Sequence, residues 1–298
     1  MNRVGYGAMQ LAGPNVLGLP ADPEAARGVL RLAVELGVTF FDTANAYGPR
    51  TVNQLIGQAL PKEGVIVGNK VGAGRGPNGE WLVTDHPDTV RRQVHEALED
   101  LGVEVSELTY LRLGGDYRGM ASGVPLEDSL GVLVELRDQG LIRRIGLSGA
   151  SPEMLARAQK LTPIAAVQNR FNLLDRSGVR VLADCEAQDI MFVPYYPLAS
   201  GQLTDYPELT GPAQRLGVSP AQVALAWLLR RSPAMVVIPG TGNPGHLRAN
   251  VAASEVARDL TEAEVARLTG LVDESQAVLD QPDRSTLDAL AAAAATVA

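Results

Sequence analysis

The sequence predicts an α/β fold, a (β/α)8 TIM barrel, on three observations. Eight short apolar runs alternate with helix-period segments along the chain. That rhythm marks a parallel sheet with right-handed crossovers, and eight units in roughly 270 residues suit a closed barrel better than an open doubly wound sheet. Polar side chains also fall at the C-terminal end of run after run, where a barrel gathers its functional groups.

The elements follow in order. Val4–Tyr6 reads as the first strand. Asp22-Pro23-Glu24 opens a helix whose apolar positions Ala26, Val29, Leu30, Ala33 and Leu36 share one face, and Gly37 ends it. Thr39–Asp42 and Val65–Lys70 are the second and third strands, and Gly72–Gly79 a flexible loop. Pro87-Asp88 opens the next helix, with Val90, Val94, Ala97, Leu98 and Leu101 on its face and Gly102 at its end. Leu108–Leu113 is the fourth strand and Gly114–Pro125 a loop. Gly140 ends the helix before Arg144–Leu147, and Ser151-Pro152-Glu153 opens the one after it. Ala166–Asn169 and Met191–Tyr195 follow, then a loop over Gly201–Gly211. Gly217, Ser219-Pro220 and the run Met235–Ile238 complete the eighth unit. One barrel domain is expected over residues 1–272, with a tail over 273–298, partly helical or disordered.

Composition narrows the function. A net charge of −8 argues against nucleic acid as a partner. No basic amphipathic run marks a membrane surface, and no apolar stretch is long enough to span one. Met1-Asn2-Arg3-Val4 leads straight into a strand pattern, unlike a signal peptide. Cys185 is the only cysteine, which leaves no internal disulfide and no cysteine metal cluster. A soluble cytoplasmic protein with no metal site is expected, its oligomeric state open.

The chemistry is carried by Asp42, Tyr47 and Lys70. Lysine is scarce: Lys62, Lys70 and Lys160 are the only ones among 26 basic side chains. Lys70 ends an apolar run, where an ammonium needs a partner. Asp42, at the end of the preceding run, can neutralise it. A phenol beside that ammonium becomes a better acid, because the charge favours phenolate. Arg112, Ser148, Gln168, Tyr195 and Gly240 also fall at or just after strand ends, each on a different run. The segment Gly240-Thr241-Gly242-Asn243-Pro244-Gly245 matches G-x-G-x-x-G but is followed by helical pattern and no strand. It therefore reads as a phosphate loop after the last barrel strand, with backbone N–H groups at a helix N-terminus, and not as a Rossmann fingerprint.

With these residues in hand, the chain resembles the aldo-keto reductases. Their Asp-Thr-Ala-x-x-Tyr-Gly motif is matched by Asp42-Thr43-Ala44-Asn45-Ala46-Tyr47-Gly48. The resemblance implies reduction of an aldehyde or ketone with NADPH in preference to NADH. It implies Tyr47 as general acid, Lys70 as the group that lowers its pKa, and Asp42 as the partner of Lys70. It places Ser148 and Gln168 at the cofactor carboxamide and Tyr195 on the nicotinamide ring, with Ala8 and Met9 lining it. Leu198 and Ser200 fall at the pyrophosphate; Gly240, Thr241, Gly242, His246, Arg248 and Asn250 fall at the adenosine phosphate.

Three departures stand out. Arg112 occupies the strand-four position where the family usually has His, a fixed cation in place of a titrating group. Gly149 replaces an Asn, and Gly240 a Lys used for the 2′-phosphate, which leaves that task to His246 and Arg248. The stretch Gly5–Pro14, Arg112 and Ile238-Pro239-Gly240-Thr241 are most similar to a bacterial subgroup that includes pyridoxal reductases. Arg112, Tyr117, Arg118 and Arg170 would then suit an anionic or phenolate-bearing substrate. Two alternatives stay open: a cofactor-binding redox sensor, and a secondary-metabolite tailoring reductase acting on an imine or enone.

Overall fold

The computed structural model describes residues 3–113, 123–203 and 206–274. Its strands are β1 (Tyr6–Gly7), β2 (Phe40–Ala44), β3 (Ile66–Val71), β4 (Ala73–Arg75), β5 (Trp81–Val83), β6 (Leu108–Arg112), β7 (Ile145–Ser148), β8 (Ala166–Arg170) and β9 (Met191–Tyr195). The helices are α1 (Pro23–Glu35), α2 (Thr51–Ala59), α3 (Pro87–Leu101), α4 (Leu126–Asp138), α5 (Pro152–Gln159), α6 (Val179–Ala187), α7 (Pro207–Leu216), α8 (Pro220–Arg231), α9 (Pro244–Asp259) and α10 (Glu262–Thr269).

The main sheet runs β1-β2-β3-β6-β7-β8-β9, all parallel. The eighth run closes it. Met235 bridges Phe192 and Val237 bridges Val4, both in parallel. Gly5 N donates to Val237 O at 2.8 Å, and Val236 N to Phe192 O at 2.9 Å. The fold is a (β/α)8 barrel. No helix among the described residues is long and apolar enough to cross a membrane.

Local signals explain the helix bounds. The Asp22 side chain accepts from the backbone N–H of Glu24 (3.0 Å) and Ala25 (2.9 Å) at the start of α1. Ser219 and Gln222 form a reciprocal capping box on α8. The predicted faces of α1 and α3 are buried, except that Leu36 lies just past α1 and is half-buried. Gly102 ends α3 in the left-handed region (φ 62°), which a side chain would strain.

The inner cluster joins Phe40, Leu108, Tyr110, Ala166, Val193, Val236 and Ile238, drawn from several strands. Tyr110 fits because its neighbours on both sides are bare. A Cβ at Gly68 would lie 2.9 Å from its ring, and one at Gly146 2.5 Å.

The structure departs from the sequence reading in four places. The 72–79 segment is no flexible loop: β4 and β5 form an antiparallel hairpin across it, tightened by Gly76 N to Glu80 O at 2.8 Å. The predicted 201–211 loop is shorter, because α7 begins at Pro207 and buries Leu209. Helix α2 lacks a sequence start signal: its N-cap is Arg50 in the left-handed region, with no side-chain cap. The last run pairs through isolated bridges and short backbone ladders, since Pro239 ends it without an N–H to donate. Most of the 114–125 loop, with Tyr117 and Arg118, lies outside the described residues, as does nearly all of the 273–298 tail.

Candidate active site

The parallel register of β2 on β3 sets Asp42 opposite Gly68 and Ala44 opposite Lys70. Asp42 and Lys70 are both buried, 3% and 2% exposed, so neither charge is stable there alone. Lys70 Nζ donates to Asp42 Oδ1 at 2.6 Å and Oδ2 at 2.7 Å. Gln168, on β8, donates Nε2 to Asp42 Oδ1 at 2.7 Å. A carboxylate only accepts, so this contact fixes which end of the Gln168 amide faces inward. Its Oε1 is turned away from Asp42, with the Tyr110 side chain as a neighbour.

Burial pulls the Lys70 ammonium below its ordinary value. Asp42 pulls it back up, and the Arg112 charge pushes it down again. Tyr47 sits in the turn after β2, with its N–H on Ala44 O at 3.0 Å. Lys70 Nζ lies 5.2 Å from the centroid of the Tyr47 ring. A second phenol, Tyr110, is buried near Asp42. Burial, with Asp42 adding to it, holds its pKa well above the usual value, so it keeps its proton. Tyr6 is likewise pushed up by burial, and its hydroxyl donates to Thr241 O at 2.6 Å. Of these three phenols only Tyr47 lines the cavity.

A cavity of about 250 Å³ opens above this group. Asp42, Tyr47, Arg112 and Gln168 line it from below, and Met9, Tyr195, Leu198, Ser200 and Gly240 around it. Those predicted residues are brought together. Lys70 lies under the floor rather than in the lining.

Other predicted cofactor residues are not in the lining. Ala8 is fully buried in the core, below Met9 in sequence. Ser148 is fully buried too, and its hydroxyl has no hydrogen-bond partner among the described residues. It is opposite Gln168 in the β7–β8 register. The orphan Ser148 hydroxyl and the Gln168 amide, which lines the cavity, form a donor–acceptor pair of the kind a carboxamide completes. Thr241 and Asn250 are buried, whereas Gly242, His246 and Arg248 are exposed on the entry to α9. Asn243 Oδ1 already accepts from Gly245 N (2.7 Å) and His246 N (3.3 Å), so two amides of the supposed phosphate cradle are occupied. Arg170 does not line the cavity. Its guanidinium packs 4.8 Å from the Tyr196 ring and 3.7 Å from Asp175.

The sequence reading missed Gln10, Trp81, Tyr196 and Pro197 in the lining. Trp81 stands perpendicular to Tyr47, ring centroids 6.4 Å apart. Its only sequence signal was rarity, since the chain has two tryptophans. Tyr196 adopts φ 53°, uncommon for a bulky residue, and local sequence gave no sign of it.

The model of the aldo/keto reductase family matches residues 3–273. Pyridoxine 4-dehydrogenase of Escherichia coli (strain K12) is 41% identical over 274 residues, 91% of this chain and 95% of its own. An aldo-keto reductase of Schizosaccharomyces pombe, whose name carries NADP(+), is 28% identical over 92% of this chain and 89% of its own. Among solved structures, a thermostable aldo-keto reductase in complex with the inhibitor epalrestat superposes with a TM-score of 0.78. It is 28% identical and covers 91% of this chain and 96% of its own. With a buried Asp–Lys pair set under a tyrosine at the C-terminal mouth of the barrel, and a family match along nearly its whole length, this chain belongs to the aldo/keto reductase family, a family of oxidoreductases.

Proposed function

We propose that this protein reduces an aldehyde or ketone to the alcohol with NADPH, and that Tyr47 supplies the proton. The observation that carries the reading is the Lys70–Asp42 pair, 2.6 Å apart, set against the Tyr47 ring at the cavity floor. Bound NADPH supplies the hydride. Ser148 and Gln168 would hold its carboxamide through the orphan hydroxyl and the side-chain amide. Tyr195 offers its ring to the nicotinamide beside Met9, and Ala8 supports Met9 from the core. Leu198 and Ser200 meet the pyrophosphate. Gly240, Thr241, Gly242 and Asn250 shape the adenosine end, where the exposed His246 and Arg248 meet the 2′-phosphate.

The chain's own groups perform the rest. Lys70, kept cationic by Asp42, favours the phenolate that Tyr47 becomes on giving up its proton. Arg112 stabilises negative charge developing on the carbonyl oxygen. Pyridoxal, reduced to pyridoxine, is the leading specific substrate. The E. coli relative's name and the aromatic lining formed by Tyr47, Trp81 and Tyr195 support it. Buried Cys185 fits a reducing compartment such as the cytoplasm.

The test is NADPH consumption over an aldehyde panel that includes pyridoxal. Turnover of pyridoxal supports the specific reading, and turnover of other aldehydes alone retains only the class. NADPH binding with no turnover on any carbonyl would sink the reductase reading in favour of a redox sensor. Turnover confined to an imine or enone would favour the tailoring reductase.

Two further outcomes are expected. Arg112→His replaces a fixed cation by a group titrating near pH ~6.5. The variant should remain active, and its kcat/KM should gain a dependence on pH between about 5 and 8 that the parent lacks. An unchanged pH profile would assign Arg112 a structural role. Arg248→Ala should raise the Kd for NADPH about tenfold, the scale of one charge-assisted hydrogen bond. The Kd for NADH should stay within about twofold, because no 2′-phosphate is lost. Fluorescence titration with each nucleotide measures both.

A further inference from the structure

The β4–β5 hairpin contributes Trp81 to the cavity lining. Its base is held by Gln93 of α3. Gln93 Oε1 accepts from Gly72 N at 2.7 Å, and Nε2 donates to Ala73 O at 3.0 Å and Thr84 Oγ1 at 3.1 Å. The backbone carbonyl of Gln93 accepts from Asn45 Nδ2 at 2.8 Å, which joins the hairpin base to the turn that carries Tyr47.

The far end of the hairpin is gathered by one side chain. Arg75 donates to Gly79 O through Nη2 at 2.6 Å and Nε at 3.0 Å. The same guanidinium reaches the N-terminal loop: Nη2 donates to Asn15 O at 2.8 Å, and Nη1 lies 3.4 Å from Val16 O. It also lies 4.2 Å from the centre of the Trp81 ring, within cation–π range. Arg75 is absent from the cavity lining, whereas Trp81 is part of it.

The N-terminal loop it grips needs holding. Asn15 and Val16 both have positive φ, 57° and 61°, and for a β-branched residue that is a true outlier. Such a conformation persists only where its surroundings over-determine it. Two groups hold the Val16 carbonyl, Arg75 and Gly48 N, the latter at 3.2 Å. Gly48 directly follows Tyr47, and its own carbonyl accepts from Gly18 N at 2.8 Å. One guanidinium therefore connects the strained 15–18 loop, the hairpin end and the indole, and through Gly48 the strained loop reaches the phenol.

We propose that Arg75 is a positioning residue. It latches the β4–β5 hairpin to the 15–18 loop and holds Trp81 in its perpendicular setting against Tyr47, as the wall that orients a flat aromatic carbonyl substrate. The proposal rests on the reductase reading for its catalytic consequence, while the latch itself can be tested without turnover. Lysine cannot replace it: an ammonium is a point donor that can neither serve three carbonyls from a planar fork nor stack on the indole.

The experiment compares Arg75→Met and Arg75→Lys with the parent in two measurements. Amide hydrogen exchange read by mass spectrometry should be at least about tenfold faster in segments covering 15–18 and 79–83 in both variants, with α5 unchanged. In steady-state kinetics, kcat/KM for pyridoxal should fall about 10–100-fold, the scale of a small misplacement of reacting groups. For propanal, which has no ring to orient, it should stay within about threefold, and the Kd for NADPH should not move. Unchanged exchange in both segments overturns the latch, whatever the activity. Restoration of both measurements by Arg75→Lys overturns it too, because charge alone would then suffice. Equal losses for pyridoxal and propanal with weakened NADPH binding would assign Arg75 a general structural role and overturn the substrate-orienting part. Should the parent reduce no carbonyl at all, the reductase reading fails, and the exchange comparison still decides the latch.

Discussion

Tyr47→Phe is expected to lower kcat by about 10²–10⁴, the usual contribution of a positioned general acid, with NADPH binding nearly intact. The substitution removes one oxygen and leaves the ring. Its edge contact with Trp81, with centroids 6.4 Å apart, and the Lys70 ammonium 5.2 Å from its centroid both survive it. Stability should therefore change little, which separates lost chemistry from lost fold. Burst and steady-state NADPH consumption, read beside a cofactor titration, check the split. Full turnover by this variant would pass the acid role to another group. Tyr110 is a poor replacement, because burial and the neighbouring Asp42 keep its proton in place.

The second large effect is on stability. Asp42→Ala is expected to cost about 3–5 kcal/mol, because it leaves the Lys70 ammonium buried without its counter-charge. Urea denaturation at neutral pH measures it. The sign of its pH dependence follows from Lys70. In the parent, burial already holds Lys70 below its ordinary value, against the upward pull of Asp42. Without Asp42 the folded-state value drops further, while the unfolded chain keeps an ordinary lysine. Between those two values the unfolded state binds more protons, so stability rises with pH across that window. The deficit of Asp42→Ala should thus be greatest at neutral pH and shrink as pH climbs towards the ordinary lysine range. Adding Lys70→Met should recover part of the loss, since it removes the stranded charge. A deficit that neither shrinks with pH nor responds to the second substitution would mean that packing, not charge, is what Asp42 provides.

Much of the barrel was readable in advance. The stripes of α1 and α3 were predicted from spacing, and their polar caps and terminal glycines agreed with it, so local pattern and global packing asked for the same structure. Asp42, Lys70, Arg112 and Gln168 were readable for a related reason. In a parallel barrel every strand ends at the same mouth, so a polar residue at a strand's C-terminal end is already placed near its counterparts. Helix α2 and the β4–β5 hairpin were not readable. The first starts at a left-handed arginine without a capping side chain. The second follows a glycine-rich segment whose order comes from Gln93 and Arg75, which act across the chain.

Sequence by itself determined the alternation of strands and helices, and with it the mouth at which the chemistry gathers. It also marked out the aspartate, lysine and tyrosine of the proposed site, because these are properties of short segments and their periodicity. Only the tertiary structure decided that Gln168 turns its nitrogen to Asp42 across 126 positions and that Ser148 keeps a buried, unanswered hydroxyl. It alone decided that Trp81 and Tyr196 stand in the cavity. Those facts depend on strand register and on which loops meet in space, and contacts between distant segments leave no trace in local pattern.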